Sequence, residues 1–209
     1  SYTGNSPTAT TIKHGLNSVP QMIIFKRRVG VGNWSTYHQS LGNTKALSLN
    51  TTATPDTDAG YFNNTTPTSS VFSVANSGDT NSNGNAMIAY CFAEKQGYSK
   101  FGSYTGNGNA DGNFIYLGFK PALIILKGSA NTENWSMYDN KRTGFNVDNN
   151  VLYPNANSAE GTSDDIDLLS NGFKIRRQTG LLNDAQNYIY MAFAENPFVT
   201  STGVPATAR

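Results

Sequence analysis

A chain that repeats its own motifs at one spacing is expected to fold as copies of one unit, and this sequence does so. Ser1-Tyr-Thr-Gly-Asn5 recurs as Ser103-Tyr-Thr-Gly-Asn107, and Pro20-Gln-Met-Ile-Ile-Phe-Lys26 as Pro121-Ala-Leu-Ile-Ile-Leu-Lys127. Asn33-Trp-Ser-Thr-Tyr37 returns as Asn134-Trp-Ser-Met-Tyr138, and Phe92-Ala-Glu94 as Phe193-Ala-Glu195. The offset is 102 residues for the first pair and 101 for the other three. Four motifs in one order predict a duplication, with units at residues 1–95 and 96–196. Residues 95–100 read as a short connector that holds the units close. Residues 197–209, with Pro197, Gly203 and Pro205, read as an extended tail. Ser1 aligns with Ser103, which follows Phe101-Gly102, so the sequence is expected to begin inside a motif.

Within each copy the apolar runs are short. Residues 22–26 and 123–127 follow a proline or sit just behind one, are rich in aliphatic residues and suit buried strands. Residues 33–38 alternate, which would place Trp34, Thr36 and His38 on one side and Ser35 and Tyr37 on the other. Residues 71–74 and 172–176 read as further strands, and residues 86–93 and 188–194 as central ones. Only 14% of the residues are charged, against about a quarter in ordinary domains. Asn, Ser, Thr and Gly take the place of the missing charge, and these residues favour turns. The expected fold class is all-β, as two tandem β-sandwich (jelly-roll-like) domains. The sole helical expectation is a turn over residues 163–170, on the capping pattern Ser163-Asp-Asp-Ile-Asp-Leu-Leu.

The motif order resembles a β-rich domain of unknown function found in structural proteins of marine tailed bacteriophages. Copy two carries it as Tyr104-Thr-Gly-Asn107, Gly118-Phe-Lys-Pro121, Trp135-Ser-Met-Tyr138, Asn171-Gly-Phe173 and the closing strand Tyr188 to Glu195. Copy one departs from it, with Leu16-Asn-Ser-Val-Pro20 and Val71-Phe72 at the matching places. The resemblance implies a virion component, in tail or fibre-like proteins, that assembles with other virion subunits as a homo-oligomer, a trimer being the expectation. It implies no catalytic residues.

The ionisable residues are sparse. Net charge is +1, which argues against nucleic acid, and Lys26-Arg27-Arg28 and Arg176-Arg177 read as solvated strand ends. No apolar run approaches the roughly 20 residues that span a bilayer, so membrane insertion is not expected. Cys91 is the single cysteine and reads as a buried, inert thiol. His14 and His38 lack histidine counterparts in the other copy, and His38 aligns with Asp139. Glu160, Asp164, Asp165 and Asp167 do not follow a calcium-loop spacing, and a carboxylate-decorated helix start explains them. No metal or cofactor is expected. Gly106-Asn-Gly-Asn109 lacks the Lys-Ser/Thr of a phosphate loop.

The aromatics remain. Trp34 and Trp135 recur at matched positions and read as core markers. Tyr61, Phe62 and Tyr153 read as exposed loop aromatics and, with His38 and Asp139, form the candidate ligand contacts. The expected function is a non-enzymatic virion structural protein contributing to assembly and to adhesion on a host-surface glycan. The alternative is a carbohydrate-binding module with paired aromatic sites at Trp34 and Trp135. A polysaccharide hydrolase would need a pair of opposed carboxylates, and the sequence nominates none.

Overall fold

A computed structural model describes residues 1–142, 146, 150–162 and 165–197. The chain is all-β, with antiparallel sheets throughout, and divides into two compact units at Ala93/Glu94. The predicted tail beyond Pro197 lies outside the described residues.

The first unit runs β1 (Tyr2–Thr3), β2 (Thr10–Lys13), β3 (Met22–Arg27), β4 (Ser35–His38), β5 (Lys45–Ser48), β6 (Asp56–Thr57), α1 (Ala59–Phe62), β7 (Val71–Val74), α2 (Gly78–Asn81) and β8 (Ala86–Phe92). Its large sheet is ordered β1-β8-β3-β4-β5-β6, and β2 pairs with β7 in a separate ribbon. Ile23 and Phe25 from β3, Tyr37 from β4, and Phe72 and Val74 from β7 share one core, so both sheets contribute to it. Four consecutive residues of β4 are buried, Ser35 to His38. Side chains alternate along β4 as a strand requires, with Thr36 and His38 on one side and Ser35 and Tyr37 on the other, and both faces are covered. Trp34 lies just before the strand rather than on it.

The second unit runs β9 (Ser99–Thr105), β10 (Phe114–Tyr116), β11 (Pro121–Gly128), β12 (Ser136–Asp139), β13 (Ile166–Leu169), β14 (Gly172–Ile175) and β15 (Asn187–Ala194). One sheet is ordered β12-β11-β15-β9 and the other β10-β14-β13. Ile124, Leu126, Tyr138, Tyr190 and Ala192 of the first sheet and Ile115, Ile166, Leu168, Phe173 and Ile175 of the second form one core.

One local expectation is corrected. Ile166–Leu169 is a strand, not a helical turn: Ile166 and Leu168 are buried while Asp167 and Leu169 face outward. That period of two, together with pairing to β14, outweighs the capping pattern; Ser163 and Asp164 lie outside the described residues. The expected connector at residues 95–100 is a closed turn that runs into the next strand. The Ser99 N–H donates to the Lys95 carbonyl at 2.9 Å, the Lys95 N–H returns to Ser99 at 3.2 Å, and Gly97 turns the corner at φ +69°. Ser99 and Lys100 already belong to β9.

Candidate functional site

The duplicated motif residues turn out to be internal locks. In Tyr104-Thr-Gly-Asn107 the Tyr104 hydroxyl donates to the Leu182 carbonyl at 2.7 Å. Gly106 is required because a Cβ there would lie 2.1 Å from the Asp184 carbonyl oxygen. The Asn107 N–H donates to Asn183 Oδ1 at 3.0 Å, and Asn183 Nδ2 donates to Asn107 Oδ1 at 2.8 Å. The first unit builds the same lock. Tyr2 donates to the Thr80 carbonyl, a Cβ on Gly4 would lie 2.1 Å from the Ser82 carbonyl oxygen, and Asn5 pairs with Asn81 at 2.9 and 3.0 Å. Asn81 and Asn183 are fully buried, and sequence reasoning missed both. They stand 102 residues apart, the offset of the motif they serve, and that was the available signal.

The Asn-Trp-Ser motif works in a similar way. The Trp135 N–H donates to Asn155 Oδ1 at 2.8 Å, and Asn155 Nδ2 donates to Asn134 Oδ1 at 2.7 Å. The Trp34 N–H donates to Asn50 Oδ1 at 2.8 Å, and Asn50 Nδ2 to Asn33 Oδ1 at 3.2 Å. The lysines that close the apolar strands staple the following loop: Lys26 Nζ donates to the Gly32 carbonyl at 2.6 Å and Lys127 Nζ to the Asn131 carbonyl at 3.1 Å. Burial pushes the Lys127 amine down to about 8, opposed by nearby Glu133.

His38 and Asp139 also share a task. His38 Nδ1 accepts the Ser40 N–H at 3.2 Å, and Asp139 Oδ1 accepts the Lys141 N–H at 2.9 Å, so each closes the turn that follows its strand. His38 is buried, which corrects its place among the candidate ligand contacts. Asp139 is further held by Arg142 Nε at 2.7 Å.

The acidic cluster resolves into pairs. Asp165 is buried, accepts the Tyr138 hydroxyl at 3.0 Å and meets Arg177 at 3.3 Å. Arg176 pairs with Asp167 and Arg142 with Glu160. Arg176 and Arg177 are therefore paired with these carboxylates rather than simply solvated. Among the described residues no group of three or more His, Cys, Asp or Glu is placed to hold a metal ion.

Several aromatic expectations are corrected. Phe62 is only 3% exposed, because it closes α1 against Phe25 and Tyr37 with ring centroids 5.7 and 5.5 Å away. Tyr61 is half-buried, and its hydroxyl donates to Asp56 at 3.2 Å. Its phenol is pushed up to about 12, by burial first and then by Asp56. Tyr153 is half-buried against the second core rather than exposed. Trp135 is 1% exposed, but Trp34 keeps 36% of its surface open and is not a core residue. Its ring lies 5.7 Å from Lys26 Nζ. Cys91 is half-buried, lining a cavity of about 180 Å³ with Tyr2, His14 and Phe72. Burial pushes its thiol up to about 11.

The five expected contact residues are divided between the units: Tyr61, Phe62 and His38 belong to the first, Tyr153 and Asp139 to the second. The exposed chemistry lies elsewhere. In β10 the burial alternates, so Ile115 enters the core while Phe114 and Tyr116 face outward, 45% and 60% exposed. β10 is one of the two edge strands of its sheet. The Phe114 ring covers Gly172 across the ladder, where a Cβ would come within 3.0 Å of it. Lys100 Nζ donates to the Tyr116 carbonyl at 3.2 Å and sits 5.4 Å from its ring centroid. Beside Tyr116 opens a cleft of about 390 Å³, lined by Glu94, Lys95, Lys100, Gly118 and Phe119. An aromatic face beside charged side chains and turn backbone can take a polar ring, the apolar face stacking and the rim hydrogen-bonding. Sequence reasoning missed this strand because three residues are too few to show a period.

These features define an all-β protein whose recurring motif residues hold its loops and in which two exposed aromatics, Phe114 and Tyr116, lie on a sheet edge. Residues 1–197 match the domain of unknown function DUF7483, and the chain belongs to that family; the matched span runs across both units. No curated protein and no solved structure matches the chain.

Proposed function

We propose that this protein is a non-enzymatic structural component of a bacteriophage virion, in a tail, fibre or surface appendage, that also adheres to a host-surface glycan. The two units are read as β-sandwich copies of one fold. The matching strand orders β1-β8-β3-β4 and β9-β15-β11-β12 support that reading, as do the matching asparagine locks. The virion assignment rests on the sequence resemblance.

The observation that carries the binding reading is the contrast between engaged and free chemistry. Asp139, Glu160, Asp165 and Asp167 are tied to arginines, while Tyr116 stands 60% exposed beside the cleft. The paired-site alternative at Trp34 and Trp135 loses its symmetry, because one ring is buried and the other open. Purified phage particles labelled with antibody against this chain test the reading. Labelling of an appendage, with free protein competing for adsorption to host cells, is expected. Absence of the chain from particles, or release of reducing sugar ends from host polysaccharide by the purified protein, would overturn it.

A further inference from the structure

We propose that the β3–β4 hairpin tip of the first unit docks on an anionic phospholipid surface. The inference stands on this tip alone and does not depend on the virion reading. β3 ends at Arg27 and β4 starts at Ser35, and the turn between them exposes Val29 by 61%, Val31 by 90% and Trp34 by 36%. Single apolar residues scattered on a surface are ordinary, but three on one seven-residue turn form a patch that water disfavours.

The charge around the patch selects the occupant. Lys26, Arg27 and Arg28 lead into the tip, and no ion pair among the described residues engages them. Among the described residues, Asp79 is the one carboxylate hydrogen-bonded to the turn, where it accepts the Asn33 N–H at 3.0 Å. Three cations against one anion favour a negatively charged surface, and each basic residue near such a surface adds attraction. Valines entering the acyl boundary, a tryptophan at headgroup depth and the exposed Arg28 at the phosphates, with the half-buried Lys26 and Arg27 adding positive charge behind it, make up an interfacial anchor.

The tip is already shaped for this. Lys26 Nζ holds the Gly32 carbonyl and covers the Trp34 ring. The Arg27 guanidinium donates to Ser82 Oγ at 3.2 Å and underlies Gly30 and Gly32, 3.7 and 3.6 Å from where their Cβ atoms would stand. Gly30 adopts φ +78°, so the bend needs glycine. A pre-shaped tip loses little freedom on docking.

The second unit supplies an internal comparison. Its matched turn reads Ser129-Ala-Asn-Thr-Glu-Asn134, carries Ala130 and Thr132 where Val29 and Val31 stand and Glu133 where Gly32 stands, and leads to the buried Trp135. The hairpin itself therefore does not require an apolar tip. The docking is peripheral: no helix among the described residues is long and apolar enough to cross a membrane.

The two tryptophans make the test optical. Full-length protein is mixed with vesicles of phosphatidylcholine containing phosphatidylglycerol, and with phosphatidylcholine alone. Co-sedimentation with the anionic vesicles and a blue shift of emission are expected, the shift vanishing in Trp34→Phe. Val29→Ser with Val31→Ser should lower partitioning about tenfold or more with the melting temperature unchanged, since both side chains are exposed. Arg28→Glu and added salt should weaken binding further. No binding to anionic vesicles, equal binding to both vesicle types, or binding unchanged by the double valine substitution would overturn the proposal. So would finding that the tip is covered by a second protein chain in the native particle.

Discussion

Asn107 and Asn183 exchange two hydrogen bonds across 76 residues of sequence, the Asn107 N–H on Asn183 Oδ1 and Asn183 Nδ2 on Asn107 Oδ1. Asn183 Nδ2 also reaches the Asn109 carbonyl at 2.5 Å. One buried side chain thus satisfies the backbone of the Tyr-Thr-Gly-Asn loop. Asn183→Ala removes three hydrogen bonds, each contributing about 0.5–1.5 kcal/mol net. A loss of about 2–4 kcal/mol is expected in urea unfolding. Asn81→Ala should behave alike in the first unit, where Asn81 Nδ2 serves Asn5, Thr8 and Ala75.

The glycine of the same motif is tested by a pair of variants. Gly106→Ala drives a methyl against the Asp184 carbonyl oxygen, 2.1 Å away, and should cost about 2 kcal/mol or more. Gly78, within α2, has open space around its would-be Cβ and no positive φ. Gly78→Ala should therefore be neutral or stabilise by up to about 1 kcal/mol. Thermal melts of the two variants decide it.

Lys127 predicts a pH dependence. Its folded amine sits near 8 against an ordinary 10.5. Below about pH 8 both states are protonated and the penalty for the buried charge is fully present. As pH rises from about 8 toward 10, the folded state sheds a proton that the unfolded chain keeps, so stability rises, by at most about 1.4 kcal/mol per pH unit. Tyrosines held above their ordinary range, Tyr190 near 12 among them, reverse the trend above about pH 10. Lys127→Met should flatten the rise, read from urea midpoints across this range.

Cys91 should be slow toward thiol reagents. A thiol moved from 9.0 to about 11 carries roughly one hundredth of the thiolate at neutral pH. Reaction with a disulfide reagent should be correspondingly slower than that of the urea-unfolded chain.

What the sequence made legible was what is written locally. Residues beside Pro20 and Pro121 formed strands, and the closing runs became β8 and β15, each paired on both sides. The lock residues were readable only by half, because Asn5 and Asn107 sit in a visible motif while Asn81 and Asn183 lie 76 residues further along. Burial of a repeated ring was not legible either. Trp34 and Trp135 share the same asparagine-capped backbone, yet one is open and the other enclosed. That difference is set by what packs around each ring. β13 was misread because its capping residues are local, whereas the ladder to β14 that decides it is not.

The proposed function has the recurring motif residues hold the fold and the aromatic edge strand β10 take the glycan. The most direct measurement is a glycan array probed with wild-type protein and Tyr116→Ala, alongside their melting curves. Tyr116 is exposed and lies outside both cores' buried sets, so the variant should melt within about 1 °C of wild type, in keeping with a surface substitution. Its glycan signal should fall at least about tenfold, the loss of one stacked ring. Undiminished glycan binding by a Tyr116→Ala protein that melts normally would contradict the account.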